Sequence, residues 1–152
     1  MGRVRAAQAV PGLASEAEEL WYDAKRWPGF IDGFSHVVKL EGEWPVVGAR
    51  SVWESRPGGR GRVVERVTAY EARTGQTLAV EDEQLRGTQR VSFSPGPEGV
   101  EAALELDYQL KDANPFTPLT DALFIRRALR ESLKRTLLRF ARERRGDMEL
   151  GA

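Results

Sequence analysis

Apolar and polar positions alternate with period two through the middle of the chain and with a period near 3.6 on both flanks. Arg3 to Val10 reads as an opening strand, stopped by Pro11-Gly12. Ser15 with Glu18 three residues on has the spacing of a capping box. Ala17, Leu20, Trp21 and Ala24 follow at helical intervals, predicting a helix from Ser15 to Arg26. Pro28 and Gly29 end it, and Phe30 to Phe34 is long enough for one more short helical turn. Six strand-like runs come next: His36 to Glu41, Ala49 to Arg56, Arg62 to Tyr70, Gln76 to Leu85, Thr88 to Ser94 and Val100 to Lys111. Their links are short and rich in Gly and Pro, which favours an antiparallel meander, because a parallel crossover needs about a dozen residues or more. In the last run Ala102, Leu104, Leu106, Tyr108 and Leu110 alternate with Glu101, Ala103, Glu105, Asp107 and Gln109. One face of that sheet is therefore buried and the other wet.

Beyond Pro118 the helical period returns. Leu119, Ala122, Leu123, Leu129, Leu133, Leu137 and Phe140 trace one stripe of a helix from Pro118 to Arg145. At 1.5 Å per residue it spans about 40 Å, enough to cross a whole sheet. The expected fold is α+β: a curved antiparallel sheet of about seven strands wrapped around the long C-terminal helix, with two short helices after the first strand. The expected organisation is a single domain over residues 1–152, its ordered core at 3–145. A sheet that grips a helix leaves a gap where its curvature outruns the side chains available to fill it, a natural place for a ligand. A void with room for only a few waters would argue against any ligand role.

Composition narrows the chemistry. With 23 basic and 23 acidic side chains the molecule is formally neutral, so no overall charge steers it to nucleic acid or to an anionic membrane. The charge is nevertheless segregated: Phe116 to Arg145 carries nine basic and three acidic residues, an excess of six that the rest of the chain offsets. The outer face of that helix is a candidate docking surface for an acidic partner, an anionic membrane or RNA. It has no interleaved aromatics of the kind that bind bases, and no nucleic acid is expected. There is no Cys and one His, His36, which excludes thiolate chemistry, disulfides and Cys-containing zinc sites. No metal and no other cofactor is expected. Absent any apolar run of secretory or membrane-spanning length, the expectation is a cytoplasmic protein without stable membrane insertion.

Local wording carries a resemblance as well. Glu19-Leu-Trp-Tyr-Asp23 followed by Arg26-Trp-Pro-Gly-Phe30, then Val47-Gly-Ala-Arg50 and Val64-Glu-Arg-Val-Thr-Ala-Tyr70, resembles the SRPBCC superfamily. This is the helix-grip fold of START lipid-transfer domains and pollen-allergen-like proteins, and the chain looks most like its polyketide cyclase/dehydrase group. The resemblance implies an interior cavity for a hydrophobic or aromatic small molecule. It leaves open whether the protein is a carrier or sensor or whether it catalyses cyclisation or dehydration.

Strand parity with that layout points Trp53, Leu78, Val80, Asp82, Val91, Phe93, Leu104, Leu106 and Tyr108 inward, opposite Ala122, Arg126, Leu129 and Leu133. Trp53, Val80, Asp82, Phe93, Leu106, Tyr108, Ala122, Arg126, Leu129 and Leu133 are the candidate ligand-binding residues. Three could carry chemistry. Arg126 could bind a carboxylate, phenolate or enolate, with Asp82 as its partner inside the protein. The Tyr108 hydroxyl could serve as an acid towards a carbonyl. His36 is the one side chain whose ordinary pKa lies near neutrality. Trp27-Pro28-Gly29-Phe30 reads as an aromatic closure of the helix–sheet junction. Pro57-Gly-Gly-Arg-Gly61 lacks the Lys-Ser/Thr ending of a phosphate-binding loop and reads as a mobile hairpin tip.

Overall fold

The computed structural model describes residues 2–112 and 119–151. Strand β1 (Gly2–Pro11) leads to helix α1 (Ala14–Tyr22) and a 3-10 turn at Trp27–Gly29. Strands β2 (Phe34–Glu41), β3 (Arg50–Ser55), β4 (Arg62–Glu71), β5 (Gly75–Glu81), β6 (Leu85–Gly96) and β7 (Gly99–Leu110) follow, and helix α2 (Leu119–Gly151) ends the described chain. The strands form one antiparallel sheet in the order β1-β7-β6-β5-β4-β3-β2. The expected meander is present, with β1 added to its last strand. Register shifts between Phe34 and His36, between Val37 and Lys39, and between Val67 and Ala69 mark bulges, which bend a sheet and strengthen its twist.

The second short helix expected at Phe30 to Phe34 is instead the 3-10 turn at Trp27–Gly29, and β5 ends at Glu81 with β6 starting at Leu85, so the expected turn Arg86-Gly87 lies within β6. Three helix boundaries also differ from the sequence expectation, each for a local reason. The helix α1 starts at Ala14, because the Glu16 carboxylate accepts the Leu13 N–H at 2.9 Å; Ser15 makes no cap. It stops at Tyr22 instead of Arg26, where Asp23 is extended and its side chain accepts the Lys25 N–H at 3.0 Å, a bond that competes with the helix. The helix α2 continues past Arg145 to Gly151, drawn on by Asp147, which accepts from Arg26 at 2.9 Å.

α2 is seated unevenly. From Leu133 onward it buries Leu133, Thr136, Leu137, Phe140, Ala141 and Arg144, while in its first turns Ala122, Ile125 and Leu129 are half-buried. Leu123, expected on the buried stripe, is 55% exposed. The seated half is held by three aromatic rings from three elements: Trp21 stacks on Phe30 at 5.3 Å, and Phe140 meets both edge-on at 5.2 and 5.3 Å. The nearly buried Arg144 reaches Glu16 of α1 at 3.2 Å, and Arg26 joins Glu143 and Asp147 at 2.9 Å each. Charged anchors therefore flank an apolar clamp at this end.

Phe140 is fully buried in that clamp. Phe140→Ala is expected to lower unfolding free energy in urea by about 3–5 kcal/mol, whereas Leu138→Ala, at a 41% exposed position, changes it by about 0.5 kcal/mol or less.

Candidate functional site

Along β4 the residues Val63, Glu65 and Val67 share one parity, and all three are buried against the interior. Glu65 is thus a carboxyl group on an otherwise apolar face. On the neighbouring strand β3, Ser51 and Trp53 point the same way; the Ser51 hydroxyl and the Trp53 indole N–H both donate to Glu65 Oε1, at 3.0 and 3.1 Å. Burial pushes the Glu65 carboxyl above the usual carboxylate range; the Arg60 charge and the two hydrogen bonds pull the other way without prevailing.

Arg60 comes from the glycine-rich link between β3 and β4. Gly61 at φ +72° turns the chain where a side chain would be strained, and Arg60 folds back over the sheet. Its Nε donates to Asp82 Oδ2 at 2.7 Å, and its guanidinium lies 5.7 Å from the centre of the Trp53 ring. Asp82 has no exposed side-chain surface, and its other oxygen accepts the backbone N–H groups of Gln84 and Leu85 at 2.7 and 2.9 Å. This holds the guanidinium in place and leaves its outer nitrogen spare. Among the described residues Arg60 Nη2 has no hydrogen-bond partner although it is buried, and the same holds for Trp44 Nε1. A buried unpaired donor costs about 1–3 kcal/mol.

Both donors belong to residues that line one cleft. Its walls are Trp21, Trp27, Trp44 and Trp53, with Glu65, Gln76 and Gln89 from the sheet and Asp32, Ser132, Leu133 and Thr136 closing the other side. Asp32 fixes that far wall: its N–H donates to Thr136 Oγ1 at 3.0 Å, and its carboxylate accepts from Ser132 at 2.7 Å, Arg135 at 3.0 Å and Arg139 at 3.2 Å. Burial pushes the Asp32 carboxyl up, but these donors and charges outweigh it and hold it below the usual range. Counting its open mouth, the cleft contains about 590 Å³ of empty space, while the room left for water-sized molecules is about 60 Å³. That is space for about four to six waters, less than the roughly 150 Å³ of a benzene-sized cavity. Taken alone, an inner space with room for a few waters argues against any ligand role.

Of the candidate ligand-binding residues, Trp53 and Leu133 line this cleft, as do Leu78 and Leu104 from the wider inward set. Val80, Asp82, Phe93, Leu106 and Tyr108 are buried on the inner face without lining it; Ala122 and Leu129 are half-buried, and Arg126 is exposed. Asp82 pairs with Arg60, not with Arg126. Burial raises the pKa of the Tyr108 hydroxyl, and the Arg126 charge pulls it back. His36 lies exposed on β2 with its ring 3.0 Å from the Ser35 hydroxyl, apart from the cleft lining. Trp27 does close the helix–sheet junction as expected: its indole N–H donates to the Trp21 carbonyl at 2.9 Å and its ring meets Trp44 edge-on at 5.5 Å.

Sequence reasoning missed Glu65, Arg60, Trp44 and Gln89. The parity of Val63 and Val67 was a sufficient signal for Glu65. Arg60 and Trp44 sit in links, where no period exists to place them. Among the described residues no cluster of three His, Asp or Glu side chains could hold a metal ion, and no helix is long and apolar enough to cross a membrane.

The fold recurs among solved structures. TTHA0849 from Thermus thermophilus superposes with a TM-score of 0.75 at 19% identity, over 96% of this chain and 99% of that one. The di-domain ARO/CYC StfQ from the steffimycin biosynthetic pathway gives a TM-score of 0.71 at 21% identity, over 95% of this chain and 51% of StfQ. DynU16, a protein of the dynemicin biosynthetic locus, gives 0.62 at 16% identity, over 92% of this chain and 46% of DynU16. No curated protein matches the sequence. Residues 1–144 match the family described as polyketide cyclase / dehydrase and lipid transport. With nearly the whole chain inside that match and the seven-stranded sheet around a long terminal helix, the chain belongs to this family.

Proposed function

We propose that the protein binds a hydrophobic, aromatic small molecule whose polar end carries hydrogen-bond acceptors. The observation that carries this reading is the pair of buried, unpartnered donors, Arg60 Nη2 and Trp44 Nε1, in a cleft walled by four tryptophans. Indole faces suit a flat ring, and two donors without protein acceptors suit a carbonyl, enolate or carboxylate oxygen. Because the inner space is small, such a guest seats its polar end inside and its rings towards the mouth.

The same arrangement supports a reaction of the cyclisation and dehydration kind, and the kinship with an ARO/CYC protein is in keeping with it. For a β-hydroxy ketone, Glu65 as carboxylate would take the proton between the two functional groups. Arg60 and Trp44 would stabilise the enolate oxygen. The enolate electrons then reform the carbonyl and the new C=C bond as the hydroxyl leaves, protonated by Glu65, as water. Glu65 returns to its carboxylate form and no redox partner is needed. A raised pKa makes the carboxylate a stronger base and fits a group that must both take and return a proton. The second reading is a carrier without chemistry. It is favoured by the engagement of Asp32 with Ser132, Arg135 and Arg139, which leaves Glu65 without a second free acid or base beside it.

Binding is testable with 2-acetylnaphthalene, followed by quenching of the tryptophans. Arg60→Met is expected to weaken affinity by about 10-fold or more, the value of a hydrogen bond to a charged group, and Trp44→Phe by less. Absence of binding to the wild type, or equal affinity in both variants, would contradict the reading. Catalysis separates from carriage by deuterium exchange into the methyl group of the bound ketone in heavy water. Loss of exchange in Glu65→Gln with affinity retained supports the acid–base role, and bound ketone that never exchanges in the wild type supports the carrier.

Glu65 also sets a pH dependence of stability. Between the ordinary Glu value of about 4.3 and its raised value in the fold, the folded chain keeps a proton that the unfolded chain has lost. Its contribution is complete below that ordinary value and is lost as pH rises through the folded one. Urea midpoints should therefore show Glu65→Gln gaining on the wild type as pH increases; a constant difference would mean that Glu65 titrates alike in both states.

A further inference from the structure

The segregated charge of α2 resolves into two parts. In its seated half most cations are partnered: Arg135 and Arg139 with Asp32, Arg144 with Glu16, and Arg145 with Glu98, while the exposed Arg142 has no ion-pair partner among the described residues. In the first turns Arg127 and Arg130 are exposed and have no ion-pair partner among the described residues. Apolar side chains sit on the same outward face. Phe124 is 73% and Leu123 55% exposed, with Leu138 further along, so this face carries an aromatic ring among its cations where the sequence pattern predicted none. At 3.6 residues per turn Leu123, Phe124, Arg127, Arg130, Lys134 and Leu138 fall within about 120° of one another, opposite the half-buried Ala122, Ile125 and Leu129. The acid on that arc, Glu131, is 3.5 Å from Lys134.

We propose that this face docks reversibly on an anionic lipid surface. An exposed helix face that mixes aromatic and aliphatic side chains with cations lies naturally in the headgroup plane. There, apolar tips enter the acyl boundary and arginine stems reach up to phosphates. A second copy of the chain is the poorer occupant: a two-fold pairing would set Arg127 and Arg130 against their own counterparts, with Glu131 already engaged. Anionic headgroups supply the missing opposite charge, at about 1 kcal/mol per basic side chain near the surface. Ser132, Leu133 and Thr136, which line the cleft, lie on the other side of the same helix, so docking is a property of its outer face alone. The inference does not depend on any reaction in the cleft.

Co-sedimentation with vesicles tests it, comparing phosphatidylcholine alone with phosphatidylcholine containing about 30% phosphatidylserine. The expected result is binding to the anionic vesicles only, weakened by salt, with a loss of about tenfold or more in Leu123→Ser/Phe124→Ser and in Arg127→Glu/Arg130→Glu. Both variants alter exposed positions and should keep the wild-type unfolding temperature. No binding to anionic vesicles, equal binding to neutral ones, or full binding by the variants would overturn the proposal. So would a concentration-dependent dimer in vesicle-free solution that Phe124→Ser abolishes, which would assign the face to a second copy.

Discussion

Three rings, Trp21, Phe30 and Phe140, decide where the long helix can lie. They meet within 5.2–5.3 Å and come from α1, the chain after the 3-10 turn, and α2, so each element's position depends on the other two. Because the clamp acts on the C-terminal half of α2, that half packs closely, while the N-terminal half rides over the sheet with only half-buried side chains beneath it. The space between sheet and helix follows from this uneven seating. So does the partial exposure of Ala122, Ile125 and Leu129, which a uniformly seated helix would bury.

What fills the remaining space is polar, and its order is strict. Asp82 takes two backbone donors and Arg60 Nε; Arg60 lies over Trp53; Trp53 and Ser51 donate to Glu65. The chain of contacts runs from a fully buried carboxylate to a buried carboxyl group with a raised pKa, and it leaves donors over. Unpaired buried donors are costly in a native structure. Their retention is understandable if a guest completes them, whereas a merely structural network would close on itself.

Much of the fold was legible in the chain. The period-two runs with short Gly/Pro links became an antiparallel meander, and the helical stripe through Leu133, Leu137 and Phe140 became the gripped helix. Periodicity misjudged Leu123, because a stripe says which face is apolar but not how far along the helix the sheet continues to cover it. The cleft was far less readable. Trp53 and Leu133 were found by parity. Glu65 obeys that same parity, but a lone acid in a strand is easily assigned to the wet face. Arg60 and Trp44 arrive from links through tertiary contacts alone, so no local pattern points to them. Neither Arg126 nor Tyr108 lines the cleft.

The central claim is that Arg60 and Trp44 hold their donors ready for an acceptor on a guest. With four tryptophans in the chain, the indole N–H resonances can be followed one by one during titration with 2-acetylnaphthalene. The account predicts a large downfield shift of the Trp44 resonance as its N–H gains an acceptor, with the Trp27 resonance, already bonded to the Trp21 carbonyl, nearly unmoved. A titration that saturates while the Trp44 resonance stays in place would contradict it.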